Sequence, residues 1–142
     1  MPSRFSMVHR VEFSDTDMAG IIHFSSFFRY MEVTEHAFFR SLGCSVDMEI
    51  DGVHYGWPRV HVECDFKKPV RFEDELTVEL IVREKRERSL RYQFDIRKVG
   101  EDAGLIAQGG FTVVCVRYDT GEGRMRAVPI PTALAIQLEA EA

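Results

Sequence analysis

Residues 26–42, SFFRYMEVTEHAFFRSL, dictate most of what this chain can become. Phe27, Tyr30, Met31, Thr34, Phe38 and Leu42 recur at helical spacing. Phe28, Val33, Ala37 and Phe39 widen the apolar stripe well beyond the face of an ordinary surface helix. The spacing predicts a helix of about four to five turns, roughly 25 Å long at ~1.5 Å per residue. Ser25 or Ser26 is the expected N-cap. Gly43 suits the left-handed position that ends such a helix. A helix apolar over most of its girth has to be buried on most of its girth, so the remaining residues must provide a cover.

They read as sheet. Residues 4–13 alternate, with Phe5, Met7, Val11 and Phe13 on one face and Ser6, Arg10 and Glu12 on the other. His9 falls on the apolar side, as a histidine at the core edge. Further on, Val60, Val62, Cys64 and Phe66 oppose Arg59, His61, Glu63 and Asp65. Leu76, Val78, Leu80 and Val82 oppose Thr77, Glu79 and Arg83. Leu90, Tyr92, Phe94 and Ile96 oppose Arg91, Gln93, Asp95 and Arg97. One apolar face per strand is the mark of an antiparallel sheet with a wet side. The short link Glu84–Ser89 predicts a hairpin. Residues 105–118 make another strand, with a bulge or bend expected at Gly109-Gly110. A turn is expected at 119–123, a short strand at 124–128, and a short helix or tail at 131–141. Residues 44–58 read as loop. The economical arrangement is α+β, a curved antiparallel sheet wrapped around one long central helix in a single domain spanning 1–142. The order of elements leaves no room for a doubly wound βαβ sheet.

Composition narrows the function. A net charge of −5 gives no general reason to expect nucleic acid as a partner. Three cysteines, Cys44, Cys64 and Cys115, show no CxxC spacing and no even count, which argues against a disulfide framework and for a reducing compartment, the cytoplasm. No signal peptide is read at the N-terminus. No apolar run approaches the ~20 residues of a membrane helix, so no membrane partner is expected. The five histidines lack metal-ligand spacing, so no metal is expected; nor is an organic cofactor.

Chemistry concentrates in Asp15-Thr16-Asp17-Met18-Ala19-Gly20, just before the helix. Two acids and a glycine are turn formers. From the residues alone, either acid could cap the backbone or act as a catalyst. No serine or cysteine is paired with a base, so a nucleophilic triad is unsupported.

The run Val11-Glu12-Phe13-x-Asp15-x-Asp17-x-Ala19-Gly20-Ile21-Ile22, continuing into Phe27-x-Arg29-Tyr30-Met31-Glu32, resembles the hotdog-fold acyl-CoA thioesterases of the 4-hydroxybenzoyl-CoA thioesterase type. Gly56-Trp57-Pro58, Arg88-Ser89 before a long strand, and Arg124-Met125-Arg126-Ala127 extend the likeness over most of the chain. The resemblance implies thioester hydrolysis of an aromatic or short-to-medium-chain acyl-CoA, with Asp17 as nucleophile or as general base toward water. It places the carbonyl-polarising amide at Phe24, among the unpaired N–H groups of the helix N-terminus. Asp15 then holds the turn. It also implies coenzyme contacts from Arg88, Ser89, Arg124 and Arg126, and an acyl-pocket wall near Trp57. It implies a homodimer or homotetramer with active sites at the dimer boundary. The family's histidine falls one position after His23, at Phe24, so His23 inherits no catalytic role. Three alternatives stand beside this reading. One is hydrolysis of acyl-carrier-protein thioesters, with the basic turn meeting an acidic carrier. Another is a hotdog dehydratase, for which no His–acid pair assembles. The third is a non-catalytic acyl-CoA-binding module.

Overall fold

The long helix α1 (Phe24–Ser41) begins two residues before its predicted start. The N-cap is His23, not a serine. Its Nδ1 accepts the Ser25 amide at 3.2 Å, so an imidazole nitrogen does the work expected of a hydroxyl. Ser26 is drawn inward, donating its hydroxyl to the Asp15 carbonyl at 2.9 Å. The other end matches expectation. Gly43 adopts φ +75°, its amide reaches the Arg40 carbonyl at 3.0 Å, and the Cys44 amide reaches Phe39 at 2.9 Å. These two bonds satisfy carbonyls that the last turn leaves free. The computed structural model describes residues 3–100, 104–119 and 123–141.

Five antiparallel strands cover the helix. They are β1 (Arg4–Arg10), β4 (Arg59–Phe66), β5 (Glu75–Lys85), β6 (Ser89–Lys98) and β7 (Ala107–Val114), in the order β1-β5-β6-β7-β4. A second sheet orders β2 (Met48–Ile50), β3 (Val53–Gly56), β8 (Val116–Asp119) and β9 (Arg124–Ala127) as β2-β3-β8-β9. The inner side chains of β5 and β6 (Leu76, Val78, Leu80 and Val82; Leu90, Tyr92, Phe94 and Ile96) are fully buried against Met31, Phe38 and their neighbours on α1. Each such side chain is worth about 1.5–3 kcal/mol of burial before entropy is counted.

Gly109-Gly110 is not the bulge expected from sequence. Register runs straight through both residues, with Gly109 opposite Phe94 and Cys64. A Cβ on Gly109 would stand 2.6 Å from Met31 Cε and 2.6 Å from the Glu63 carbonyl, and one on Gly110 would stand 2.8 Å from the Tyr92 carbonyl. The glycines exist because the helix and the neighbouring strands approach too closely for a side chain.

Irregularities lie elsewhere, one between Val82 and Glu84 in β5 and another between Arg59 and His61 at the start of β4. There the extra residue turns Arg59 to the face that also carries Val62, Cys64 and Phe66, and leaves Val60 62% exposed. With β1, strand β4 is also one of the sheet's two edge strands. The one-sided burial predicted for it fails, since Val62 and Phe66 stay 46% and 50% exposed.

Residues 44–58 also depart from the loop reading. They contain the β2–β3 hairpin, closed by Asp51 and Gly52 at φ 52° and 79°. An Asp-Gly pair with both residues left-handed is a two-residue hairpin turn. Phe13 is exposed in a single 3-10 turn, Phe13–Asp15, instead of continuing the first strand's apolar face. The short helix or tail expected at 131–141 contains one helical turn, α2 (Thr132–Ala135), after which the Glu141 amide bonds the Val82 carbonyl at 2.7 Å. The turn expected at 119–123 falls mostly on residues 120–122, outside those described.

The close approach at Gly109 gives a direct test. Gly109→Ala is expected to cost about 1–3 kcal/mol of stability, measured by urea unfolding, because the Glu63 backbone must move. Ala at Gly123, whose hypothetical Cβ meets nothing within 4 Å, tests only the penalty of a left-handed φ.

Candidate active site

Asp15 ties together everything that surrounds the cleft at the start of α1. It is 4% exposed. Its Oδ2 accepts the Glu12 amide at 2.9 Å and the Tyr30 hydroxyl at 2.6 Å; its Oδ1 accepts Arg29 Nη2 at 2.6 Å. Its backbone carbonyl accepts the His23 amide at 2.8 Å and the Ser26 hydroxyl. Burial alone would push this carboxyl up. The Tyr30 hydroxyl, the Glu12 amide and the Arg29 guanidinium outweigh it and hold the carboxyl below its ordinary range. The same contact, added to burial, drives the Tyr30 phenol far above its usual value. Asp15 therefore holds the turn, as expected.

Asp17 sits in the bend that Asp15 anchors. Its amide donates to Ile21 at 2.8 Å and its carbonyl accepts Gly20 at 3.0 Å, with Gly20 at φ +79°. Its Oδ1 accepts the Ala19 amide at 2.8 Å, and Oδ2 takes no bond from the described residues. The carboxylate borders a cleft of about 540 Å³ lined by Ile21, Phe24, Phe27, Phe66 and Lys67. Phe24 opens α1, and its amide donates to no group among the described residues, whereas His23, Ser25 and Ser26 have theirs satisfied. An acceptor-rich carboxylate and an unpaired helix N-terminal amide thus border one apolar cleft. That combination can bring an attacking oxygen to a carbonyl and stabilise the oxyanion that forms. His23 faces solvent, 2.7 Å from Ser25 Oγ, and serves as the cap.

The other predicted residues gather at the opposite end of the molecule. Helix α1 and β4 run antiparallel. Phe27 packs on Phe66 with ring centroids 5.5 Å apart, Arg59 meets Glu35 at 2.5 Å, and Trp57 stands edge-on to Phe39 at 5.5 Å. Seven residues of strand, about 23 Å at ~3.3 Å each, separate the Phe66 end from the Arg59 end. Trp57 lines a second cavity, of about 320 Å³, with Glu32, His36, Tyr55, Arg59 and Tyr118. Arg88 and Ser89 lie nearby, where the Arg88 carbonyl accepts the Cys115 amide at 2.8 Å. Arg124 and Arg126 stand exposed on β9, with Arg126 3.5 Å from Asp119. One chain therefore unites Asp17 with Phe24, and groups Trp57 with the four coenzyme candidates, but does not unite the two sets.

The Glu35–Arg59 pair escaped sequence reading. Glu35 is fully buried in mid-helix, where burial pushes its carboxyl up although Arg59 pulls the other way. Arg59 also contacts Glu32 at 3.3 Å and lies over the Phe111 ring at 5.3 Å. The signal missed was the bulge, which moved Arg59 to the inner face. No group of three His, Cys, Asp or Glu side chains among the described residues is placed to hold a metal.

A long helix sheathed by an antiparallel sheet, with a carboxylate at the helix N-terminus, defines a hotdog-fold thioester hydrolase. The model of the thioesterase-like superfamily matches residues 11–138, and the chain belongs to that family. It is 27% identical over 135 residues to the 4-hydroxybenzoyl-CoA thioesterase of Pseudomonas sp. (strain CBS-3), covering 92% of this chain and 94% of that protein. It is 29% identical over 109 residues to a 1,4-dihydroxy-2-naphthoyl-CoA hydrolase of Acaryochloris marina, covering 75% and 77%. Among solved structures, a gentisyl-coenzyme A thioesterase superposes with a TM-score of 0.78 at 28% identity, covering 92% of this chain and 99% of that one.

Two tests follow from the buried groups. Arg59→Ala leaves the Glu35 carboxylate unpaired in the core and is expected to cost about 3–5 kcal/mol in denaturant unfolding, against a smaller loss for the double change with Glu35→Leu. His9, stacked on Tyr30 at 5.1 Å and bonded to Thr34 Oγ1 at 3.0 Å, is held below its usual value of 6.5 by burial, though Asp15 opposes the shift. A lowered folded value means its stability contribution is complete above 6.5 and is lost as pH falls through the folded value. Thermal melts between about pH 7 and pH 5 are expected to show a fall in Tm that His9→Gln reduces.

Proposed function

We propose that this chain hydrolyses the thioester of an aromatic or short-to-medium-chain acyl-CoA, with Asp17 as nucleophile or general base and the Phe24 amide polarising the carbonyl. The observation that carries this is the shared cleft: a half-buried carboxylate with one free oxygen and an unpaired helix N-terminal amide on one apolar wall. The three similar proteins described above are named for hydroxyaryl-CoA substrates, which favours an aryl group, and Phe24, Phe27 and Phe66 offer it ring faces. Either route ends in free acid and CoA. Attack by Asp17 forms an acyl anhydride and expels the thiolate, and water then cleaves the anhydride. Deprotonation of water by Asp17 reaches the same products in one addition and collapse.

The coenzyme set is reached through a second subunit. Edge strand β4 carries the exposed side chains of Val60, Val62 and Phe66, a surface that soluble proteins pair or blunt. Antiparallel pairing of two β4 edges about a two-fold lays the Phe66 end of one chain beside the Arg59 end of its partner. The Asp17–Phe24 cleft then meets the region of Trp57, Arg88, Ser89, Arg124 and Arg126 from the other copy. The arginines suit the phosphates of the coenzyme, since a guanidinium bonds phosphate oxygens bidentately. Dimers of this kind can pair again into tetramers. The three free cysteines suit a cytoplasmic setting, and no helix of the described residues is long and apolar enough to cross a membrane.

Asp17→Asn is expected to lower kcat by at least ~10²-fold with acyl-CoA binding nearly unchanged, as measured by thiol release and by titration calorimetry; parental turnover would sink the assignment. The composite site has its own test. Arg88→Ala is expected to raise KM and to weaken its dependence on salt. Mixed dimers of Asp17→Asn and Arg88→Ala chains should recover about a quarter of the parental kcat/KM at low substrate, because half of the dimers carry one intact site. No recovery would place all the groups on one chain.

A further inference from the structure

We infer that Asp15 and Tyr30 form a positioning pair that sets the Asp17 carboxylate against the Phe24 amide; this rests on the roles given to Asp17 and Phe24 above. Two parts of the site arrive on different stretches of chain. Asp17 belongs to the bend after the 3-10 turn, and the Phe24 amide belongs to the first residue of α1. A single residue bridges them. The Asp15 carbonyl holds the His23 amide at 2.8 Å and the Ser26 hydroxyl at 2.9 Å, which brackets Phe24 on both sides. The Asp15 carboxylate reaches the next turn of the same helix, to Tyr30 and Arg29 at 2.6 Å each, and reaches back to the Glu12 amide at 2.9 Å. Ser26, Arg29 and Tyr30 are spaced so that one helix face presents all three to Asp15.

The strength of this clamp comes from charge and burial. Asp15 is 4% exposed and Tyr30 6% exposed, so their hydrogen bond is made to an ionised carboxylate away from water. The Tyr30 hydroxyl has Asp15 as its bonding partner, and its ring is stacked by His9 at 5.1 Å, which fixes the direction of the O–H. Asp15 is two residues from Asp17 and turned away from the cleft, with both oxygens already occupied. It touches no reacting atom and acts through the placement of others. Displacements of about 1 Å in a catalytic constellation cost up to ~10²-fold in rate.

Tyr30→Phe removes one hydroxyl and keeps the ring stacked on His9. In the full-length enzyme, acyl-CoA hydrolysis by Tyr30→Phe is expected to fall about tenfold in kcat with KM within about twofold of the parent. Asp15→Asn is expected to fall further, by about 10²-fold, again in kcat. Placed on Asp17→Asn, Tyr30→Phe should lower the residual rate by less than about twofold, since a positioning group loses its effect when the group it positions is gone. A folded Tyr30→Phe enzyme with parental kcat overturns the inference. So does a tenfold loss that persists in the Asp17→Asn background, or one expressed in KM. Parental turnover by Asp17→Asn itself overturns the assignment of Asp17, and this inference with it, and is read in a separate arm. If Asp15→Asn fails to fold, the Tyr30→Phe arm alone decides.

Discussion

The fold depends on letting a wide apolar helix come within van der Waals reach of a continuous sheet. Met31 on α1 lies so near β7 that only glycine fits at position 109. At the two glycines β4, β7 and β6 pair without a shift in register, and β4 lies at one edge of the sheet. The edge in turn presents Phe66 to the first turn of the helix and Arg59 to its middle. The position of the cleft is thus a consequence of how tightly one helix is held.

Burial also explains where charge is found. The helix has two carboxylates on its buried side, its own Glu35 and Asp15 from the preceding turn, and each meets an arginine. They are not equivalent. Asp15 receives hydrogen bonds from three donors and is stabilised as an anion, whereas Glu35 is pushed upward by burial and depends on Arg59. A buried pair of the second kind is weak evidence for stability and stronger evidence for a fixed geometry. Here it pins the bulged start of β4, the stretch next to Trp57 and the second cavity.

Much of this was legible in the residues. Strict alternation located β5 and β6, and the girth of apolar residues on α1 required the sheet to wrap around it. The acids of the Asp15–Gly20 turn drew attention to the N-terminal end of the helix, and the family resemblance gave the expected catalytic role to Asp17 and not to Asp15. What could not be read was whatever depended on a partner distant in sequence. Gly109-Gly110 signals a special backbone position, but whether the cause is a bulge or a close neighbour depends on Met31, nearly eighty residues earlier. Arg59 looked outward because period two assumes no bulge, and one inserted residue reverses the face. The cap role of His23 was missed because serine is the commoner cap, and both Ser25 and Ser26 follow it closely. The Asp51-Gly52 hairpin was readable from its dipeptide and its flanks, and was passed over because its strands are only three and four residues long.

The separation of the predicted residues into two groups also follows from geometry. A single sheet has two ends, and a central helix has one N-terminus. An oxyanion site built on that N-terminus can occupy only one end, and the cleft there is walled by aromatic rings, with Lys67 at its margin. The arginines at the far end have the charge but no nucleophile. The two-fold axis across β4 proposed above would resolve the mismatch without any new element, because antiparallel edge pairing exchanges the ends. The exposed valines and phenylalanine of β4 are then explained by the same operation that completes the site. In the proposed dimer an edge strand that would otherwise be a liability would bring the two halves of each site together.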